Sequence, residues 1–427
     1  MAAQDLRSVG LRNWAGNIAF SARQLHEPVS VEELQDVVAA SDNLRVLGTG
    51  HSFNRIADCD ADLVSIANLP PRVEIDEATS TVSVNGAIRY GDLAAQLFQQ
   101  GFALHNLGSL PHISIAGACA TGTHGSGEMN RGLSGAVRAI EMVNADGDIV
   151  RLARGRDAVF SGAVVGLGCL GVVTQMTLDI VPTFDIQQFV YDNLPGKQLA
   201  EHFDEVVGRA YSVSLFTTWR SRDIDQVWVK HKVDADGPWQ AEHRWLEAIL
   251  ADSARHPLPG MPVANCTEQL GVIGPWHERL PHFRLEFVPS AGDELQSEYL
   301  LSRQFAGDAF EAVAAIANRI APVLRICEIR TIASDDLWLS PAYGRETIAF
   351  HFTWVKDEPA VAPVIAAIEE ALAPFDARPH WGKLFTTSPD VVRGLYPRFG
   401  DFEELMRRHD AAGKFRNAFI DRYFSGA

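Results

Sequence analysis

The chain contains three groups of residues whose types and spacing could do chemistry. The first is Leu47-Gly48-Thr49-Gly50-His51-Ser52-Phe53, which follows Val46 at the end of a predicted strand. Small residues at 48–50 let backbone N–H groups close around a phosphate, forming a nest of donors that needs no side-chain charge. His51 is either a chemical group of that site or a histidine that merely hydrogen-bonds the turn. The segment is not a dinucleotide GxGxxG: its spacing differs and no long helix follows, so a Rossmann nicotinamide site fits poorly. The second group spans residues 106–127, NLGSLPHISIAGACATGTHGSG, where small and hydroxylated side chains are dense enough to build a flat, donor-rich wall for a large planar cofactor. The alternative is a glycine-rich loop packed on its own domain. The third group is Glu328 with Arg330 and His351 with Thr353. Each pair lies two residues apart on a predicted strand, so its members face the same side. Ile326, Ile329, Ile332, Phe350 and Phe352 make these strands otherwise apolar, which suits either a polar pocket on a buried sheet or a structural Glu328–Arg330 ion pair. His105, His112 and His124 form no metal-like cluster on one element and read as wall or structural histidines; no metal site is expected.

The elements that must position these groups change character near residue 180. Before it, short strands and turns predominate. Ser30 and Glu33 form a capping box ahead of Leu34, Val37 and Val38. Val73–Ile75 with Val82–Val84, and Ile140–Asn144 with Ile149–Leu152 around Asp146-Gly147, read as hairpins, and residues 91–100 as a helix stopped by Gly101. After it, residues 245–253, 308–321 and 361–373 carry apolar side chains at helical spacing, with strands predicted at 323–332 and 347–355. Strands and helices mix without βαβ alternation, which points to an α+β architecture.

At 427 residues, two domains are the natural expectation, and 47% hydrophobic with 21% charged residues is ordinary for a globular chain. A formal charge of -17 argues against nucleic acid or an anionic membrane surface as partner and leaves neutral small molecules unaffected. No apolar run reaches the roughly 20 residues of a membrane helix. Residues 1–16, with Asp5, Arg7, Arg12 and Asn13, lack the basic-then-apolar pattern of a secretion signal. Cys59, Cys119, Cys169, Cys266 and Cys327 have no CxxC spacing and read as buried thiols of a cytoplasmic protein.

Together, the two glycine-rich segments resemble the FAD-binding domain of vanillyl-alcohol-oxidase-type flavoproteins. The resemblance continues, in the family's order, through Val143-Asn144-Ala145-Asp146-Gly147 and Gly168-Cys169-Leu170-Gly171-Val172-Val173-Thr174. It implies that the loop 47–53 wraps the FAD pyrophosphate and that His51 bonds covalently to the flavin 8α-methyl carbon. It also implies that Ser109, Ser114, Gly117, Thr121, Gly122, Thr123, His124 and Val173 line the cofactor. Residues 328–345, His351-Phe352-Thr353-Trp354 and His380-Trp381-Gly382-Lys383 resemble the bacterial alditol oxidases, including xylitol oxidases. His-Trp-Gly-Lys also occurs in sugar-lactone oxidases and dehydrogenases, the alternative reading.

The expectation that follows is oxidation of the terminal primary alcohol of alditols such as xylitol and sorbitol to aldoses. Hydride passes to flavin N5 and dioxygen is reduced to hydrogen peroxide. Glu328, Arg330 and Lys383 would be catalytic, with Lys383 and His380 against the flavin. Ser109, Glu328, Arg330, His351 and Thr353 would bind substrate, and the small Gly108 would leave dioxygen a path. The expected layout is an FAD-binding domain over 1–180, an antiparallel-sheet substrate domain over 181–375, and a C-terminal return to the FAD domain over 376–427. A monomer is compatible with all of this.

Overall fold

The computed structural model describes residues 4–5, 10–233, 235, 237–287 and 292–424. Residues 1–3 and 6–9 of the N-terminal secretion reading, Arg7 among them, therefore lie outside the described residues.

Two groups of sheets organise the chain. In the N-terminal part, a four-stranded sheet places the parallel strands Gln24–His26 and Leu44–Val46 on either side of Asp62–Val64. A five-stranded antiparallel sheet is formed by Val73–Asp76, Thr81–Asn85, Val172–Asp179, Val137–Val143 and Ile149–Ala153 in that spatial order. Both predicted hairpins are present in it. The Ser30 hydroxyl accepts from the Glu33 N–H and starts the helix Val31–Ala40, while the Glu33 carboxylate accepts from Val29.

From residue 185 onward the strands among the described residues belong to one ten-stranded antiparallel sheet, with Leu324–Ile332 at its middle between Ser212–Thr217 and Thr347–Trp354. The two-residue period sorts the side chains of these strands. Cys327, Ile329, Phe350, Phe352 and Trp354 pack beneath the helices Ala306–Ala315 and Glu358–Leu372. Glu328, Arg330, His351 and Thr353 face the opposite way, towards the N-terminal part. Burial on both faces explains why these strands read as nearly continuous apolar runs.

The C-terminal segment returns to the N-terminal part. Leu44 N–H donates to the Lys414 carbonyl at 2.8 Å, and the Lys414 ammonium donates to the Val38 and Ala145 carbonyls. The buried Arg45 side chain bridges the Ile56, Leu167, Gly168 and Phe415 carbonyls. Phe399, Phe402 and Phe424 share a core with Leu93, Ile115 and Phe160.

Two expected helices differ. Residues 245–253 form no helix; Arg244–Trp245 and Ala248–Leu250 are short strands joined through Leu246 and Glu247, both at positive φ. Pairing of Leu250 with Tyr191 on the sheet edge overrides a helical spacing too short to stand alone. The helix expected over 308–321 breaks at Ile316 into Ala306–Ala315 and Ala317–Ile320. All five cysteines are free and buried. Among the described residues no helix is long and apolar enough to cross a membrane.

Candidate active site

One continuous cleft runs between the N-terminal loops and the central strands of the large sheet. Every residue the sequence assigned to the site lines it except Gly122, whose φ of +71° turns the chain towards Pro341 instead; His105 and His112 do not line it either.

At one end, Leu47–Phe53 leaves the strand Leu44–Val46 and closes on remote parts of the chain. Gly50, at φ +70°, accepts from the Trp14 N–H at 2.8 Å, and Phe53 N–H donates to the Gly382 carbonyl at 2.8 Å. The Asn54 amide donates to the carbonyls of Trp381 and Lys383 at 2.8 and 2.7 Å. The first motif therefore clasps the last one and fixes where Lys383 points. His51 stacks on Trp14 and shares a 3.0 Å hydrogen bond from Nδ1 to the Thr49 hydroxyl. Its Nε2 is buried without a partner, and burial together with the neighbouring His112 pulls its pKa down to about 4. The imidazole is thus neutral near pH 7, with an unshared nitrogen in the cleft wall.

The opposite wall is built for close approach. A Cβ on Gly48 would meet the Ser114 hydroxyl at 2.7 Å and one on Gly117 would meet it at 2.9 Å; one on Gly86 would strike the Val173 carbonyl at 2.6 Å. Ser114 starts the short helix Ile115–Ala120, and Thr121 and Thr123 continue the wall to His124. A long cleft of bare backbone ending at an orphaned imidazole nitrogen fits FAD. The pyrophosphate would lie on residues 47–53 and the flavin between His51 and the polar cluster beyond.

At that other end, three adjacent strands carry one cross-strand row, Glu298–His351–Glu328. Arg330, one step along, donates from Nη2 to Glu298 Oε1 at 2.7 Å and from Nη1 to the Ser109 hydroxyl at 3.3 Å. Lys383 Nζ donates to Glu298 Oε2 at 2.7 Å, and His124 Nε2 stands 3.1 Å from Oε1. Glu328 Oε1 accepts from His282 Nε2 at 2.7 Å. The Glu328–Arg330 separation is 3.6 Å, so the simple ion pair considered from sequence is not the main contact of either residue.

Burial acts to raise both carboxyls. Lys383, His124 and Arg330 nevertheless hold Glu298 well below the usual carboxylate range, and Arg330 and His282 do the same for Glu328. Burial pulls the Lys383 ammonium down while Glu298 works against it; the 2.7 Å contact keeps that pair ionised. His351 is driven to about 4 by burial and then by Lys383, and neither of its ring nitrogens makes a full hydrogen bond, Nδ1 standing 3.6 Å from Glu328 Oε2. Burial also takes His380 well below its ordinary value, and its Nδ1 accepts from the Gly382 N–H. The result is two buried carboxylates and two buried cations around neutral imidazoles. Acceptors and donors face a common space, an arrangement suited to gripping several hydroxyls and holding negative charge on one of them.

Sequence reasoning missed Glu298, Gln296, His282 and Lys230. The first two lie on the strand Leu295–Ser302, where Glu294, Gln296 and Glu298 alternate with Leu295 and Ser297; that period of two was available as a signal. His282 sits in a loop and Lys230 on a distant strand, and nothing local marks either. His112 is tied by Nε2 to the Leu285 carbonyl and His105 to the Arg131 carbonyl.

The comparisons agree with this architecture. An FAD binding domain model matches residues 22–153, and a D-arabinono-1,4-lactone oxidase model matches residues 294–423. A solved cholesterol oxidase from B. sterolicum superposes with a TM-score of 0.79 at 14% identity, covering 99% of this chain and 97% of that one. The fold is therefore that of the vanillyl-alcohol-oxidase-type flavoproteins, a two-domain α+β class. An alditol oxidase from Streptomyces sp. is 51% identical over 98% of this chain and 100% of the relative. An L-gulono-1,4-lactone dehydrogenase from Mycobacterium tuberculosis is 28% identical over 96% and 98%, and the L-gulonolactone oxidase of Mus musculus 26% over 98% and 99%. The chain belongs to the alditol oxidase family and is an FAD-dependent oxidoreductase.

Proposed function

We propose that the protein is a cytoplasmic alditol oxidase. It would carry FAD bonded to His51, oxidise the terminal primary alcohol of polyols such as xylitol and sorbitol to the aldose, and pass the electrons to dioxygen to give hydrogen peroxide. The observation that carries this reading is the meeting, in one cleft, of the backbone-lined wall with the Glu298–His351–Glu328 row. The relative that shares half its residues over nearly the full length is an alditol oxidase, whereas the lactone enzymes are far more distant.

Bound FAD supplies the two-electron acceptor for hydride leaving the substrate carbon. The chain's own residues do the rest. Glu328 Oε2 accepts a substrate hydroxyl, while Ser109 and Thr353 pair with further hydroxyls, contacts that penalise deoxy analogues because a buried polar group is left unmatched. Arg330 and Lys383 stabilise negative charge that develops on the reacting oxygen, and His351 closes the pocket from the sheet side. His380 and the Lys383 backbone continue the wall formed by residues 47–53, with Phe53 and Asn54 hydrogen-bonded to the Gly382 and Lys383 carbonyls.

The matching domain layout is 1–180 and 376–427 around FAD, with 181–375 around substrate. It is supported by the single large sheet from residue 185 and by the contacts of Lys414 and Phe415 with the N-terminal strands.

A visible spectrum before and after acid precipitation, with His51→Ala alongside, tests the cofactor. Yellow colour kept in the parent's pellet and washed from the variant's is the expected result; colour released from both removes the covalent bond. Substrate profiling tests the rest, and preference for a 1,4-lactone over xylitol would overturn the alditol assignment.

A further inference from the structure

Behind Glu328 lies a buried chain of polar contacts reaching to the strand Ile224–Lys232. Lys230 is 1% exposed, and its Nζ donates to the Leu280 carbonyl at 2.5 Å and the Pro281 carbonyl at 3.2 Å, with His282 Nδ1 also at 3.2 Å. Its three acceptors are neutral, and among the described residues no carboxylate oxygen lies within ion-pair distance of it. A buried ammonium without a counterion in contact is costly, and an apolar side chain of similar bulk would ordinarily serve stability as well. The position therefore calls for a role beyond packing.

That role follows from donor and acceptor counting. Burial pulls the Lys230 ammonium down to about 7 against the pull of Glu328, but the ionised Glu328 carboxylate only accepts, so the His282 nitrogen facing it must donate and Nδ1 is left to accept from Lys230. The ring proton is then on Nε2, the atom 2.7 Å from Glu328 Oε1. Phe216 and Trp228 stand edge-on to the imidazole, with ring centres 5.5 and 5.2 Å away, and keep it from turning. The same loop reaches the other side of the cleft, because the His282 N–H donates to the Ser109 carbonyl at 3.2 Å.

We propose that Lys230 and His282 are positioning residues of the polyol site: Lys230 holds His282 in its Nε2–H form, which engages Glu328 Oε1 and so orients the carboxylate with Oε2 towards substrate. The His282 backbone sets Ser109 at the matching distance. The depressed pKa of the His282 ring, about 4 through burial and the Lys230 charge, agrees with a neutral imidazole donating to a carboxylate. The inference rests on the polyol reading of the cleft for the identity of the substrate, not for the geometry of the chain.

The test compares parent, His282→Leu, His282→Gln and Lys230→Met. Flavin content, melting temperature and the steady-state constants on xylitol are measured for each. Leucine removes the donor to Glu328; glutamine restores an N–H in its place and an acceptor towards Lys230. With flavin bound at the parent's level, kcat/KM should fall about tenfold to a hundredfold in His282→Leu, the scale of a misplaced contact group. It should recover by most of that factor in His282→Gln. Equal losses in leucine and glutamine variants, or no loss in either, overturn the proposal.

Lys230→Met is a second route that does not require His282→Leu to fold. It keeps side-chain bulk and removes the donor to Nδ1, so a fall in kcat/KM with flavin retained supports the chain and a parental value overturns it. If the parent ignores alditols and oxidises a lactone, the substrate reading fails, and the same variants compared on the lactone still decide the roles of Lys230 and His282.

Discussion

Glu298 Oε2 and Lys383 Nζ lie 2.7 Å apart although more than eighty residues separate them in the chain, and the carboxylate on one side and the His-Trp-Gly-Lys turn on the other meet inside the cleft. Oε1 of the same carboxylate takes Arg330, so one side chain neutralises two buried cations. Glu298→Gln should leave Lys383 without a counterion and Arg330 with Glu328 alone, 3.6 Å away, and cost about 3–5 kcal/mol of stability, the usual effect of breaking a buried pair from one side. Urea unfolding reads the loss. Adding Lys383→Met to Glu298→Gln should return part of the stability and none of the turnover on xylitol, which separates the ion-pair role from the chemical one.

Acid should weaken this fold through the same cluster. His282 and His351 sit near pKa 4 in the folded chain against 6.5 outside it, so between those values the unfolded chain binds more protons and stability falls as pH drops. Glu298 and Glu328 are held below their ordinary 4.5, so their contribution is present above that value and is lost as pH falls beneath it. Urea midpoints should therefore decline steadily below pH 6.5 and more steeply below pH 4.5. His351→Asn should flatten the first part of the curve and Glu298→Gln the second; parallel curves for parent and variants would rule out these groups as the source.

Gly86 tests the cofactor wall away from the chemistry. Its Cβ position is 2.6 Å from the Val173 carbonyl and 3.1 Å from the Ala116 methyl, both on elements that cannot yield by a side-chain rotation. Gly86→Ala should push the strand Val172–Asp179 and the helix Ile115–Ala120 apart, lower the flavin-to-protein absorbance ratio of the purified protein and slow its reconstitution with added FAD. Gly101→Ala, at an exposed turn with nothing within 4 Å, has φ +82° and should cost stability with flavin content unchanged.

Much of this was legible in the sequence because the signals were local. The Asp146-Gly147 hairpin, the Ser30–Glu33 cap and the two-residue spacing of Glu328 with Arg330 each sit within a few residues of their partners, and all three appear as read. What escaped was set by pairing at long range. Residues 245–253 look helical until Tyr191 supplies a strand to join, and His282 looks like any loop histidine until Lys230 and Glu328 are brought to its two nitrogens. Glu298 is intermediate, since its alternation with Gln296 and Glu294 announces a polar strand face without announcing what the face meets.

Gly108 bears on the electron acceptor. It adjoins Ser109 in the cleft wall, and a Cβ there would find its nearest neighbours, the His124 carbonyl and the Ile113 and Leu133 side chains, at 3.8–3.9 Å. The site therefore has room for a methyl group without distortion, but the branches of valine would fill the space between that wall and the cleft. If dioxygen reaches the reduced cofactor through this gap, Gly108→Val should slow reoxidation in air in stopped-flow traces. Anaerobic reduction by xylitol should stay within a few-fold of the parent, and turnover with an artificial dye acceptor should be spared. With substrate placed beside Glu328 and Arg330 as proposed, an equal fall in reduction and reoxidation would mean that Gly108 shapes the substrate pocket instead and that oxygen arrives by another way.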